Sequence, residues 1–144
     1  MNAKDYLGRA YKLDQAVDAK LGLVATLRNL ATKCTTYIDG MPHSATDSKS
    51  MMSDTVDKVV DLEREINETI DEMVDTKREI LKTISQVPSM EHQILLTKRY
   101  LCFDSWEDIA SSMEYSLRHI YNLHGAALHS VDVILREKKN KSLH

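Results

Sequence analysis

Residues 105–131 read SWEDIASSMEYSLRHIYNLHGAALHSV, and their apolar positions follow the spacing of two helices joined by a tight link. One apolar face is formed by Trp106, Ile109, Ala110 and Met113, and a second by Ile120, Leu123, Ala127, Leu128 and Val131. Ser116 ends the link Glu114-Tyr115-Ser116 and can cap the second helix, because its hydroxyl accepts from free backbone N–H groups. The pattern predicts a helix-turn-helix, a unit that places its second helix in the major groove of DNA.

A further amphipathic helix is predicted just upstream, in MEHQILLTKRYL (residues 90–101), which ends in Arg99-Tyr100. This ending, a loop, WEDIA and an S-x-x-x-I-x-x-L-x-x-x-A-L helix together resemble region 4 of sigma-70 type RNA polymerase factors. The resemblance covers about residues 88–137 and lies in the apolar frame. In that family the last helix reads the promoter −35 element and neighbouring surfaces contact polymerase. Leu117, His119 and Tyr121 stand where housekeeping factors carry arginines, so the usual −35 sequence is not the expected target.

The amino-terminal stretch YLGRAYKLDQAVDAKLGLVATLRNLATK (residues 6–33) extends the resemblance to the whole chain. With its carboxy-terminal unit, the chain is similar to a small family of phage- and prophage-encoded sigma-like proteins, late-gene regulators of the Rin and Arp type. The resemblance implies a transcription regulator that binds double-stranded DNA in the cytoplasm of a bacterial host cell. Contact with RNA polymerase is a second expectation that it implies.

The composition favours helix throughout, since 144 residues include only four glycines and two prolines. No run approaches the roughly 18 apolar residues of a membrane span, and the first ten residues lack the apolar core of a signal peptide. We therefore expect a cytoplasmic protein with no membrane partner. Cys34 and Cys102 lie far apart, which predicts two buried thiols rather than a zinc site or a disulfide.

The formal net charge of −3 is unusual for a nucleic-acid binder. Residues 1–87 carry 12 Lys and Arg against 15 Asp and Glu, and residues 88–144 carry seven of each. Because DNA affinity comes mostly from neutralised phosphates, one copy of a neutral carboxy-terminal unit should bind weakly. Either a second copy or polymerase must then supply the remaining affinity.

Two long heptad-like segments precede the motif, at about residues 3–38 and 53–87, and DGMPHSATDSKS (residues 39–50) reads as the loop between them. They predict an antiparallel helical hairpin that ends before Pro88, which gives domains 1–87 and 88–144. Further apolar residues lie off the main seam: Leu7, Leu21, Leu23, Leu30, Val60, Val74 and Leu81. We expect them to support a homodimer, and packing against the carboxy-terminal helices is the alternative. Residues 136–144 are expected to fray.

The predicted second helix turns its core stripe inward, so Arg118, Tyr121, Asn122 and Gly125 should face outward. Arg118 can pair with guanine, Asn122 with adenine, and the Tyr121 ring can contact a thymine methyl group. The glycine suggests close approach by DNA or by a neighbouring helix. The remaining predicted DNA-contact residues are Ser116, Leu117 and His119.

Catalytic, metal and cofactor sites are not predicted. His119, His124 and His129 are spaced by five residues, so no two share a helix face as metal ligands would, and His124 should border the core. Nucleophile, phosphate-loop and dinucleotide motifs are absent from the sequence. We expect an all-α, non-enzymatic DNA-binding regulator, with or without polymerase contact. The alternative is a coiled-coil structural protein of phage assembly or DNA packaging that retains a degenerate helix-turn-helix.

Overall fold

The computed structural model describes residues 1–40 and 45–143. Over these residues the chain is helical and contains no strand, which confirms the all-α class. The helices are α1 (Ala3–Leu7), α2 (Arg9–Gly40), α3 (Ala45–Ser85), α4 (Met90–Tyr100), α5 (Trp106–Met113) and α6 (Leu117–Ser142). The first predicted long helix is therefore split, because Gly8 ends α1 before α2 begins.

The chain folds as two compact units. The terminal unit contains Met1–Lys12 and Met73–His144, and the middle unit is Leu13–Glu72. This division differs from the predicted boundary at Pro88, because both the first residues and the end of α3 pack with the carboxy-terminal helices. The heptad spacing fixed which face of each long helix is apolar, but it carried no information about which partner covers that face.

The core of the terminal unit draws side chains from both ends of the sequence. Its buried members are Ala3, Tyr6, Leu7, Ala10, Ile80, Ile84, Val87, Leu95, Leu96, Tyr100, Ile109, Ala110, Ile120, Ala127, Val131 and Ile134. α6 contacts α1, α4 and α5, so it is held from several sides. Burial of this apolar surface supplies most of the stability of the unit.

Polar contacts join α1, α3 and α6 within the terminal unit. The Ala3 backbone N–H donates to Asp132 Oδ1 over 2.8 Å, and Lys138 Nζ donates to Thr83 Oγ1 over 2.9 Å. The Tyr6 hydroxyl lies 2.8 Å from the same Thr83 oxygen. The expectation that the chain frays from residue 136 is wrong through Ser142, where α6 ends, because long basic side chains favour helix and Lys138 is tied to α3.

Serine caps set the starts of the short helices: Ser116 is the predicted cap of α6, and Ser89 and Ser105 also directly precede their helices. Ser89, Ser105 and Ser116 each accept from a backbone N–H three residues later, at 3.4, 3.1 and 3.2 Å. Between α5 and α6, Glu114 adopts the left-handed conformation with φ 59°, and Tyr115 N–H bonds to the Ala110 carbonyl over 3.0 Å. The link Glu114-Tyr115-Ser116 is thus a tight helix end followed at once by a capped helix start.

In the middle unit, α2 and α3 run antiparallel. Lys20 Nζ donates to Thr69 Oγ1 over 3.2 Å, and further along α2 Arg28 forms an ion pair with Glu63, earlier in α3. Four buried residues make its small core: Val17, Val24, Val59 and Ile66. Of the off-seam apolar residues only Leu7 is buried, in the core of the terminal unit, and the others are exposed.

Two local expectations are wrong. Of the predicted loop at residues 39–50, residues 39–40 and 45–50 are helical, since α2 continues to Gly40 and α3 begins at Ala45, and residues 41–44 lie outside the described residues. Extending an existing long helix costs little per residue, which outweighs the local loop composition. Cys102 is exposed rather than buried because it follows the end of α4, and the side chain of Cys34 lies outside the described residues.

Candidate functional site

The exposed face of α6 is the strongest candidate site. Ile120, Ala127 and Val131 are fully buried and fix the rotation of the helix about its axis. Since each residue turns an α-helix by about 100°, Arg118, Asn122 and Gly125 lie on the side opposite this buried stripe. All three are exposed and form one line at i, i+4 and i+7.

The other predicted contact residues flank this line and are exposed as well: Ser116, Leu117, His119 and Tyr121. Ser116 is occupied as the amino-terminal cap of α6. The His119 ring lies edge-on to Tyr115, with centroids 4.3 Å apart. Ser116 and His119 are therefore engaged within the fold.

Tyr121 is partly committed to the fold. Its ring lies edge-on to the Trp106 ring at a centroid distance of 5.5 Å, although half of the residue remains exposed. The Tyr121 ring, which was predicted to contact a thymine methyl group, therefore packs against Trp106 at the start of α5.

The backbone at Gly125 is open on its outer side. A Cβ added there would meet no atom within 4 Å among the described residues, other than its local backbone neighbours. A neighbouring helix within the described chain is therefore not the reason for this glycine. Gly125 lies on the exposed line, and a glycine inside a helix costs about 1 kcal/mol of helix stability.

An aromatic cluster behind the site was missed by sequence reasoning. The Tyr100 hydroxyl lies 2.7 Å from His124 Nε2, the Trp106 ring lies 4.5 Å from the His124 ring, and the Arg99 guanidinium stacks 4.3 Å above Trp106. The cluster joins the end of α4, the start of α5 and the second turn of α6. The Arg99-Tyr100 ending was the available signal, but spacing alone could not pair it with His124.

Burial lowers the pKa of His124 to about 4, and the nearby charges of Lys4 and Arg99 lower it further in the same direction. His124 is therefore neutral at neutral pH and half-buried, as expected for a histidine at the border of the core. Burial also raises the pKa of Tyr100, although Arg99 opposes this effect. Both members of the hydrogen bond stay uncharged, which suits a positioning contact rather than proton transfer.

In the part of the chain that the structure describes, no three His, Cys, Asp or Glu side chains come together as a metal site would require. Within the same residues, no helix combines the length and the apolar character needed to cross a membrane. No family model, curated protein or solved structure matches the chain.

Proposed function

We propose that the protein is a DNA-binding transcription regulator in which α5, the link and α6 act as a helix-turn-helix, with α6 in the major groove. One observation carries the proposal: the exposed line of Arg118, Asn122 and Gly125 lies on a capped helix whose opposite face is fixed in a core. A helix that reads a DNA groove needs one face held in the core of the protein and the opposite face exposed.

The chemistry of the line suits base recognition. The Arg118 guanidinium has the fork that pairs with O6 and N7 of guanine, and the Asn122 amide can pair with N6 and N7 of adenine. Gly125 keeps the backbone bare one turn further along. These features favour direct reading of a short sequence by α6.

The charge of the terminal unit also supports this proposal. That unit carries 13 Lys and Arg against 10 Asp and Glu, whereas the middle unit carries 6 against 12. Residues 88–144 alone have no formal net charge. Met1–Lys12 and residues 73–87 belong to the same unit, and together they carry a net positive charge. A net charge of +3 on the unit that contains α6 is the sign that phosphate binding requires.

The other partners follow from the resemblance and from exposed apolar residues. Contact with RNA polymerase is implied by the likeness to sigma region 4. In the proposal, α2 and α3 form a helical hairpin for dimerisation or partner docking, because Leu21, Leu23 and Leu30 are exposed on α2. The same exposed residues favour the second candidate, a structural coiled-coil protein of phage assembly or DNA packaging.

Selection from a random pool of duplex DNA tests the function. The full chain should enrich a defined motif, and Arg118→Ala should lose the preference at one base of it. Arg136→Ala is the matched control, because Arg136 is an exposed arginine on the same side of α6, about 27 Å further along. Uniform recovery of all sequences by the full chain would contradict the regulator and favour the structural protein.

A further inference from the structure

A cleft of about 650 Å³ opens in the terminal unit between α1, the start of α2, the end of α4 and the loop before α5. Three cationic side chains line it, Lys4, Lys12 and Arg99, against the one carboxylate of Asp5. Residues from the beginning of the sequence thus meet residues almost ninety positions later. No local sequence pattern relates these two segments to each other.

The three cations are available to a ligand. Within 4.0 Å, no described carboxylate forms an ion pair with Lys4, Lys12 or Arg99. Arg99 is held in place without being neutralised, since it stacks on Trp106 and donates through Nη1 to the Asp104 carbonyl over 3.1 Å. A positioned guanidinium beside two exposed lysines is well suited to an oxyanion.

Two of these cations act electrostatically on His124, a half-buried residue of the same unit. Lys4 and Arg99 both lower the pKa of His124, which lies under Tyr100 at the wall of the cleft. Ser105 also lines the cleft and caps α5, whose first turn carries Glu107 and Asp108. Among the residues that line the cleft, cations outnumber carboxylates by three to one, although the whole chain has a net charge of −3.

The cleft lies beside the proposed reading helix. Arg99 stacks on Trp106, and the Trp106 ring contacts Tyr121 on the flank of α6. A duplex whose major groove receives α6 must carry its phosphates along the flanks of that helix. An acidic protein segment would meet the same charges, but the adjacency to α6 favours DNA.

We propose that this cleft binds a phosphate of the duplex backbone through Lys4, Lys12 and Arg99 while α6 occupies the major groove. The inference rests on the proposed function and adds a contact that fixes position rather than sequence. The amino-terminal residues thereby become part of the DNA interface.

The salt dependence of binding tests this inference on the full chain. The double variant Lys4→Gln with Lys12→Gln is compared with Lys139→Gln with Lys141→Gln, two exposed lysines near the end of α6. Each is titrated with a selected duplex and with a scrambled duplex at several salt concentrations. We expect the cleft variant to weaken both duplexes about equally and to reduce the slope of log affinity against log salt by roughly 0.9 per lost contact.

Each other outcome has a distinct meaning. If the cleft variant keeps the affinity and slope of the control while Arg118→Ala loses base preference, the phosphate contact is refuted and the function stands. If the unchanged chain binds neither duplex, the function fails and the contact fails with it. If a labelled glutamate-rich peptide binds and only the cleft variant loses it, with DNA affinity unchanged, the cleft belongs to an acidic protein segment.

Discussion

Arg118 is exposed in the first turn of α6, on the side opposite the fully buried Ile120 and Ala127. Arg118→Ala should therefore weaken specific DNA binding by about 1–3 kcal/mol and leave the fold intact. Binding titrations and thermal melts on the same preparations check this, with Arg136→Ala as the control. A lower melting temperature with unchanged base preference would show that Arg118 supports the fold instead.

His124 gives the terminal unit a pH dependence. Its folded pKa is lowered from 6.5 to about 4, so between these values the unfolded chain holds a proton that the folded chain lacks. Stability therefore falls as the pH drops through this window, and it levels off below the folded pKa. His124→Gln removes the titrating group and should reduce this loss.

Urea unfolding at about pH 7 and about pH 4.5 measures the effect. The difference in unfolding free energy between the two conditions should be smaller in His124→Gln than in the unchanged chain. His129→Gln is the control, since His129 is an exposed histidine on the same helix. Equal differences in all three proteins would show that His124 does not couple protonation to folding.

At the scale of elements, the five-residue helix α1 is part of the support of α6. Leu7 on α1 is fully buried in the core that also contains Ile120, Ala127 and Val131. Leu7→Ala should destabilise the protein by about 2–5 kcal/mol, because it leaves a cavity in that core. Leu21→Ala removes the same atoms from a residue that is 49% exposed, and should change stability by less than about 0.5 kcal/mol.

Denaturant unfolding of the two leucine variants tests whether α1 is an integral part of the terminal unit. If Leu7→Ala is as mild as Leu21→Ala, α1 is not integral to the terminal unit. The unit would then correspond more closely to residues 88–144, the boundary that the sequence predicts.

The starts of the short helices could be predicted because a cap is a local signal. Ser89, Ser105 and Ser116 each precede their helix directly, and each accepts the expected N–H. The inward stripe of α6 was equally accessible, since Ile120, Ala127 and Val131 repeat at helical spacing. These features explain why Arg118, Asn122 and Gly125 could be predicted to lie on the exposed face of α6.

The partner of each long helix could not be predicted in the same way. Tyr6 and Ala10 continue the apolar spacing that leads to Val17 and Val24, yet the first pair packs in the terminal unit and the second in the middle unit. Apolar periodicity identifies the buried face of a helix, but it does not identify the distant segment that packs against that face. The cleft and the bond between Tyr100 and His124 were missed for this reason.

At the scale of the whole molecule, charge is divided between the units. The terminal unit has a net charge of +3 and the middle unit −6. A nucleic-acid surface on the first and self-association through the second would therefore respond oppositely to salt. Salt weakens binding that depends on phosphate neutralisation, and it relieves repulsion between like-charged copies.

Exposed apolar residues of the middle unit are the basis on which we expect the chain to dimerise. Leu23 and Leu30 lie seven residues apart on one side of α2, and both are exposed. We expect the full chain to be a dimer at tens of micromolar in sedimentation equilibrium. Its self-association should strengthen as the salt concentration rises from about 50 to 200 mM, because salt screens the repulsion between like-charged copies. Over the same range its affinity for DNA should fall. The double variant Leu23→Glu with Leu30→Glu should be monomeric at both salt concentrations. Met90→Glu with Leu143→Glu adds the same charge at exposed positions of the terminal unit and should leave the dimer intact. A full chain that sediments as a monomer at both salt concentrations would refute dimerisation, and the affinity beyond one copy would then have to come from a partner such as polymerase.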